Sequence, residues 1–399
     1  MVKLIKAIIV VLFVTVGLCS CSDDGNEDKV VSDNTILVYM PWTGNDSNLL
    51  SCFKTNILDM KESVTDYGIR SGNRILIFFS ESASSARLFE LKKEKGKCIE
   101  KELKQYSNPV GTATGIAGIL ADVEKESPSL HYSMIIGGHG LGWINSDTYN
   151  GKASASVKRI MSMKSQDLPF TRFFGSVSDG FQTDVSTLAD GIRQSGLDMR
   201  FILFDACNMA NVETVYELKD VTDYVIACPT EIMGYGMPYK QILPYLWGTP
   251  DYKSVCSEMI DYYKKYTYGG SAYPYATISV VDCSQLEALA YRMRLVNASM
   301  SDENAIDGVQ ILDGYYPHLF FDLADYISHF CRDNDLAAAF LAQLSLAVPY
   351  KGNTEFFYTE LSFPHVIKLD SYCGITVSDP SKNSYASDKQ STSWWKATH

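Results

Sequence analysis

Residues 201–204, Phe-Ile-Leu-Phe, form a short unbroken apolar run that stops abruptly at Asp205-Ala-Cys207. A run this short with no polar alternation is the pattern of a strand buried on both faces, which is the habit of parallel sheets inside α/β proteins. Residues 208–219 then carry the spacing of an amphipathic helix. In an open α/β sheet, ligands gather beyond the carboxyl ends of the strands, so Cys207 stands where chemistry is usually done. A helix beginning directly after it would favour the thiolate. Alone, Cys207 reads equally well as a small buried hydrophobe.

A second run changes that balance. Residues 132–143 read Tyr-Ser-Met-Ile-Ile-Gly-Gly-His-Gly-Leu-Gly-Trp, an apolar strand that breaks into glycines around His139. Glycines allow the backbone to approach a ligand closely and leave its N–H groups accessible. A thiol nucleophile needs a neighbouring base or cation, and two strands ending in His and Cys supply that pair if they are neighbours.

The rest of the chain fits the same architecture. Apolar strand patterns at residues 35–40, 73–80, 222–227 and 277–281 alternate with helical patterns at 47–65, 114–126, 185–195, 255–266 and 284–296. Such alternation is the signature of a mostly parallel sheet. Residues 87–91 and 97–103 read as a hairpin around Glu94-Lys-Gly96. Beyond residue 286 the pattern is mainly helical, at 319–331 and 335–347, followed by an aromatic segment near 356–358. The glycine loop at 111–115 lacks the Lys-Ser/Thr of a phosphate-binding loop, and 138–142 lacks a full dinucleotide fingerprint. Residues 145–184 are polar and aperiodic, and a loop of that length within a compact domain is usually functional or disordered.

Gly-His139-Gly after one strand and Asp205-Ala-Cys207-Asn-Met after a later one resemble the clostripain family of cysteine peptidases. Residues 35–40 resemble its first core strand, and residues 227–239, Ala-Cys-Pro-Thr-Glu-Ile-Met-Gly-Tyr-Gly-Met-Pro-Tyr, its segment lining the specificity pocket. The resemblance implies a caspase-like α/β three-layer sandwich, with a mostly parallel central sheet flanked by helices and a mainly helical C-terminal extension. It implies a His139/Cys207 dyad, with Gly140 and Cys207 supplying oxyanion N–H groups. It also implies that Asp205 helps form an acidic pocket selecting Arg or Lys. One departure stands out: relatives often carry an acid where this chain has Tyr235, and Glu231 is the nearby acid that would substitute. The resemblance further implies maturation by a cut after the histidine strand, with Lys152 the first choice among Lys152, Lys158, Arg159, Lys164 and Arg172. Two alternatives stay open on the same scaffold: a transpeptidase that passes the thioester to an amine, and an inactive surface binding protein.

Residues 1–20 read as a lipoprotein signal. Lys3 and Lys6 precede an apolar run at 7–16 that is too short for a comfortable membrane span, and Leu18-Cys-Ser-Cys21 resembles a lipobox that would leave Cys21 lipidated. Residues 21–33 form an acidic tether, 34–285 the peptidase core and 286–399 the extension. Attachment to the outer membrane of a Gram-negative cell, facing periplasm or exterior, is the expected location. The net charge of −12 and the lack of a basic stripe argue against nucleic acid, leaving peptides and proteins as partners alongside the membrane. Ten cysteines and six histidines show neither CxxC nor HExxH spacing, so no metal is expected. No cofactor is indicated, although the family resemblance allows for calcium.

Overall fold

The computed structural model describes residues 31–44, 49–146, 182–300 and 306–399. Residues 31–399 form one compact unit. Nine strands make its central sheet: β1 (Ser32–Met40), β2 (Asn73–Ser82), β3 (Ser85–Glu94), β4 (Lys97–Ser107), β5 (Ser129–Gly137), β6 (Met199–Asp205), β7 (Thr222–Ala227), β8 (Thr277–Asp282) and β9 (Tyr350–Asn353). Their order across the sheet is β9-β8-β7-β6-β5-β1-β2-β3-β4. The five strands from β7 to β2 run parallel, and antiparallel strands close both edges.

The unbroken apolar runs are explained by two cores. Alternate side chains of one strand feed opposite faces, so a strand covered on both sides has no polar face to show. In β1, Leu37 and Tyr39 enter one core while Ile36, Val38 and Met40 enter the other. The first core is covered by helices α2 (Ala113–Glu126) and α3 (Val185–Ser195). The second lies under α1 (Leu49–Tyr67). The β3–β4 hairpin turns at Lys95 and Gly96, both at positive φ, as the Glu94-Lys-Gly96 motif predicts.

Two expected helices start late. The helix expected over 208–219 is α4, Val212–Leu218 only. Asn208 instead adopts a left-handed conformation at φ 54°, which asparagine tolerates better than most residues. Asn211 caps α4 by accepting from the Thr214 N–H at 2.9 Å. The segment before it is drawn out by tertiary hydrogen bonds: Asn208 N to Thr230 O (3.0 Å), Ala210 N to Cys228 O (3.2 Å) and Thr376 N to Ala210 O (3.0 Å). The helix N-terminus is therefore four residues away from the position that would place it beside Cys207. Likewise the helix expected over 319–331 spans Leu323–Phe330, because Asp322 caps it through Asp325 N and Phe321-Asp322 pairs with Thr376-Val377.

Beyond β9, Phe356–Tyr358 and Val366–Lys368 form a small antiparallel hairpin. It sits late in the chain but is bonded back to the strand-end region, as described next.

Candidate active site

Strands β5 and β6 are immediate parallel neighbours, with Gly137 opposite Asp205 in the register. His139 and Cys207 each lie two residues beyond that pair, so the sheet delivers both to the same end. The Gly138 N–H donates to Asp205 O at 3.4 Å, carrying the pairing one step past the strands. Both residues are buried: His139 is 6% exposed and Cys207 1%.

Gly140 shows why this loop is glycine-rich. A Cβ built there would fall 2.0 Å from the Cys207 carbonyl oxygen and 2.8 Å from its amide nitrogen, a separation that no side chain tolerates. The Gly140 and Cys207 backbones thus pack directly against each other, placing the two residues of the expected oxyanion pair side by side.

The segment after β7 runs along the Cys207 turn and is tied to it repeatedly. Besides the bonds from Asn208 and Ala210, the Ile232 N–H donates to Cys207 Sγ at 3.3 Å, and the thiol lies 3.8 Å from Ile232 O. Asp205, fully buried, accepts from the Met237 N–H at 3.0 Å and the Tyr239 hydroxyl at 2.9 Å. Its carboxylate holds residues 236–239 in place at the foot of β6.

The two other residues expected to contact substrate have engagements of their own. Glu231 accepts from the Thr359 hydroxyl at Oε1 and from the Glu360 N–H at 3.1 Å. Tyr235 directs its hydroxyl to Asp59 on α1, stacks on Tyr262 with ring centroids 5.1 Å apart, and accepts from Asn56 Nδ2 at its carbonyl (2.8 Å). Burial raises the Asp59 pKa, with Glu62 adding to the shift and the Tyr235 bond opposing it. The Tyr235 phenol is raised too, by burial and then by its bond to Asp59.

Several participants carried no signal in the sequence. Ile232 acts through its peptide, whose position depends on the fold alone. Thr359 and Asn56 are single polar residues far from any motif. Near the His139 loop, Trp143 Nε1 donates to Ser378 Oγ at 2.9 Å, and the Ser378 N–H donates to buried Glu213 at 2.7 Å. Burial, then the Asp379 carboxylate, pushes Glu213 up to about 8.

Lys152 and Cys21 lie outside the described residues, as do residues 147–181 of the long loop. All eight described cysteines are free thiols. Among the described residues no three His, Cys, Asp or Glu side chains gather as a metal site, and no helix is long and apolar enough to cross a membrane.

Residues 38–326 match the family profile Peptidase_C11, described as the Clostripain family. Among solved structures, the chain is similar to a secreted C11 cysteine protease of Bacteroides thetaiotaomicron, "iotapain", at 43% identity and a TM-score of 0.83, covering 93% of this chain and 100% of that one. It is 46% identical to a clostripain of B. thetaiotaomicron ATCC 29148 in complex with the peptide inhibitor BTN-VLTK-AOMK, over 57% of this chain and 99% of that one, with a TM-score of 0.54. An inactive zymogen C11 protease of Parabacteroides distasonis shares the fold, with a TM-score of 0.75 at 23% identity over 93% of this chain and 99% of that one. No curated protein matches the chain.

Proposed function

Because the chain belongs to the clostripain family of cysteine peptidases, we propose that it is an endopeptidase cutting after Arg or Lys, with Cys207 as nucleophile and His139 as proton carrier. The observation that carries this reading is the β5–β6 register, which sets both residues at equal offsets beyond adjacent parallel strands.

The Cys207 thiol passes its proton to His139, and the sulfur attacks the scissile carbonyl carbon, forming a C–S bond and a tetrahedral oxyanion. The Gly140 and Cys207 N–H groups receive that charge, and donors of this kind are typically worth about 3–4 kcal/mol each. His139 protonates the leaving amine as the C–N bond breaks, giving a thioester. It then takes a proton from water, which attacks the thioester carbon, and returns that proton to the sulfur as the C–S bond breaks, releasing the acid and restoring the thiol.

Asp205 is the pocket acid in this reading, and its bonds to Met237 and Tyr239 hold it for a lysine or arginine head. Tyr235 lines the wall where relatives often carry an acid. The relative bound to BTN-VLTK-AOMK, a peptide whose last residue is lysine, supports a basic preference. Self-processing after Lys152 and lipid attachment at Cys21 complete the proposal, giving a two-chain enzyme on the outer membrane or cell surface. The secreted relative supports export.

A peptide library scanned at the residue before the cut, run against the mature protein with Cys207→Ala as control, tests the reading. Cleavage confined to Arg and Lys, and absent from Cys207→Ala, is expected. Strong cleavage after Ala or Leu would overturn the specificity, and amine adducts in place of acids would make it a transpeptidase. On a denaturing gel, two fragments should form in the wild type alone, with a new N-terminus inside residues 146–185. An intact, fully active wild type would exclude processing.

A further inference from the structure

The Ile232 peptide meets the Cys207 sulfur with an N–H at 3.3 Å and a carbonyl at 3.8 Å. The two contacts act in opposite directions. The carbonyl accepts from the protonated thiol, whereas the N–H donates to sulfur and gains strength when the sulfur becomes an anion. A hydrogen bond donated to the charged form lowers a pKa, and the donor here is the closer partner.

What holds Ile232 in place is visible in the two residues before it. Toward the sheet, Thr230 O accepts from Asn208 N at 3.0 Å, and the Thr230 hydroxyl bonds the Thr277 hydroxyl at 2.7 Å. Directly before Ile232 stands Glu231, its carboxylate gripped by the Thr359 hydroxyl and the Glu360 N–H. Thr359 is itself immobilised. It is fully buried, its hydroxyl accepts from Leu361 N at 3.1 Å, and its backbone bonds His365 on the opposite arm of the hairpin at 2.8 and 3.0 Å. Gly314 packs so closely that a Cβ there would lie 2.2 Å from the Thr359 hydroxyl oxygen. A hydroxyl so confined has few other directions in which to donate.

We propose that Glu231, clamped by Thr359 and the Glu360 amide, is a positioning residue that sets the Ile232 N–H against the Cys207 sulfur and so favours the reactive thiolate. This rests on the reading of Cys207 as nucleophile. It gives Glu231 a task other than binding the substrate cation, and it makes the C-terminal hairpin a working part of the nucleophile's environment. Loosening the clamp leaves Cys207 and His139 untouched but removes a directed donor from the sulfur.

The test uses the full chain and iodoacetamide, with alkylation at Cys207 quantified by peptide mass spectrometry from acid to alkaline pH. Thr359→Val removes the hydroxyl at nearly constant shape, and Thr359→Ser keeps it. Thr359→Val should move the half-maximal pH for alkylation up by about one unit, leaving roughly tenfold less thiolate at neutral pH. Thr359→Ser should remain with the wild type. A folded Thr359→Val whose midpoint does not move would overturn the proposal. Faster alkylation at an unchanged midpoint would also overturn it, since the clamp would then be only a cover. If Thr359→Val does not fold, Glu231→Gln decides by the same midpoint. The midpoint is read without turnover, so an inactive wild type would defeat the peptidase reading while leaving this measurement to stand or fall alone.

Discussion

Asp205 and Glu231 are two buried acids that the sequence reading places in one role, and the fold gives them different partners. Asp205 accepts from Met237 and Tyr239, 32 and 34 residues later, and fastens that end of the pocket segment to β6. Glu231 is bonded to Thr359 and Glu360, 128 and 129 residues later, and fastens the other end to the C-terminal hairpin. The pocket segment is therefore suspended between the sheet and the chain's far end. An acid near a reactive residue is not by that fact a substrate contact; its partners decide whether it meets the substrate or holds the wall.

The largest effect should separate the two acids by stability. Asp205→Ala leaves the Met237 N–H and the Tyr239 hydroxyl buried without their acceptor, at about 1–3 kcal/mol each. We expect a loss of about 2–5 kcal/mol in urea unfolding together with loss of Arg and Lys cleavage. Asp205→Asn, which keeps one acceptor, should unfold closer to the wild type while still losing basic specificity. If Asp205→Ala unfolds like the wild type, Asp205 is not the anchor of the segment and the contrast with Glu231 fails.

A third buried acid sharpens the comparison through pH. Glu213 is raised to about 8 by burial and the Asp379 carboxylate, against 4.5 for the free side chain. Between those values the folded protein holds a proton that the unfolded chain has lost, so stability is full below the lower value and falls as pH rises toward the upper one. The slope should approach about 1.4 kcal/mol per pH unit. Thermal unfolding of Glu213→Gln should decline less across this window and exceed the wild type at its alkaline end. Equal declines in both proteins would assign the proton to another group.

How much of this was legible follows from where the hydrogen bonds go. The strands are readable because double-sided burial leaves apolar runs at Ile36–Met40, Met134–Ile136 and Phe201–Phe204, and His139 and Cys207 are readable because they follow two such runs. The spacing of residues 208–211 suits a helix, while Thr230, Cys228 and Thr376 hold them out of one. Local propensity yields to tertiary partners that no window of sequence contains. The same holds for Thr359, one threonine among aromatic residues, whose meaning depends on Glu231. Tyr235 was legible only as a departure, with nothing to point to Asp59.

That departure supplies the smallest predicted effect. Tyr235 is held in part by the bond from its hydroxyl to Asp59, the stack on Tyr262, and the Asn56 bond to its carbonyl. Tyr235→Phe removes the hydroxyl and with it the bond to Asp59, and keeps the ring and the backbone carbonyl. Because Asp59 is only partly buried, water can replace the lost donor, and the cost should be about 0.5–1.5 kcal/mol, the ordinary net worth of one hydrogen bond. The bond also opposes the burial that raises Asp59. Without it the Asp59 pKa should climb further, a change that carbon-detected NMR of the carboxyl group would read directly. If Tyr235 only lines the pocket wall, cleavage after Lys should be nearly unchanged in Tyr235→Phe. A large loss of Lys cleavage with little loss of stability would instead make the Tyr235–Asp59 pair the missing second acid of the pocket, reached from α1 rather than from the segment itself.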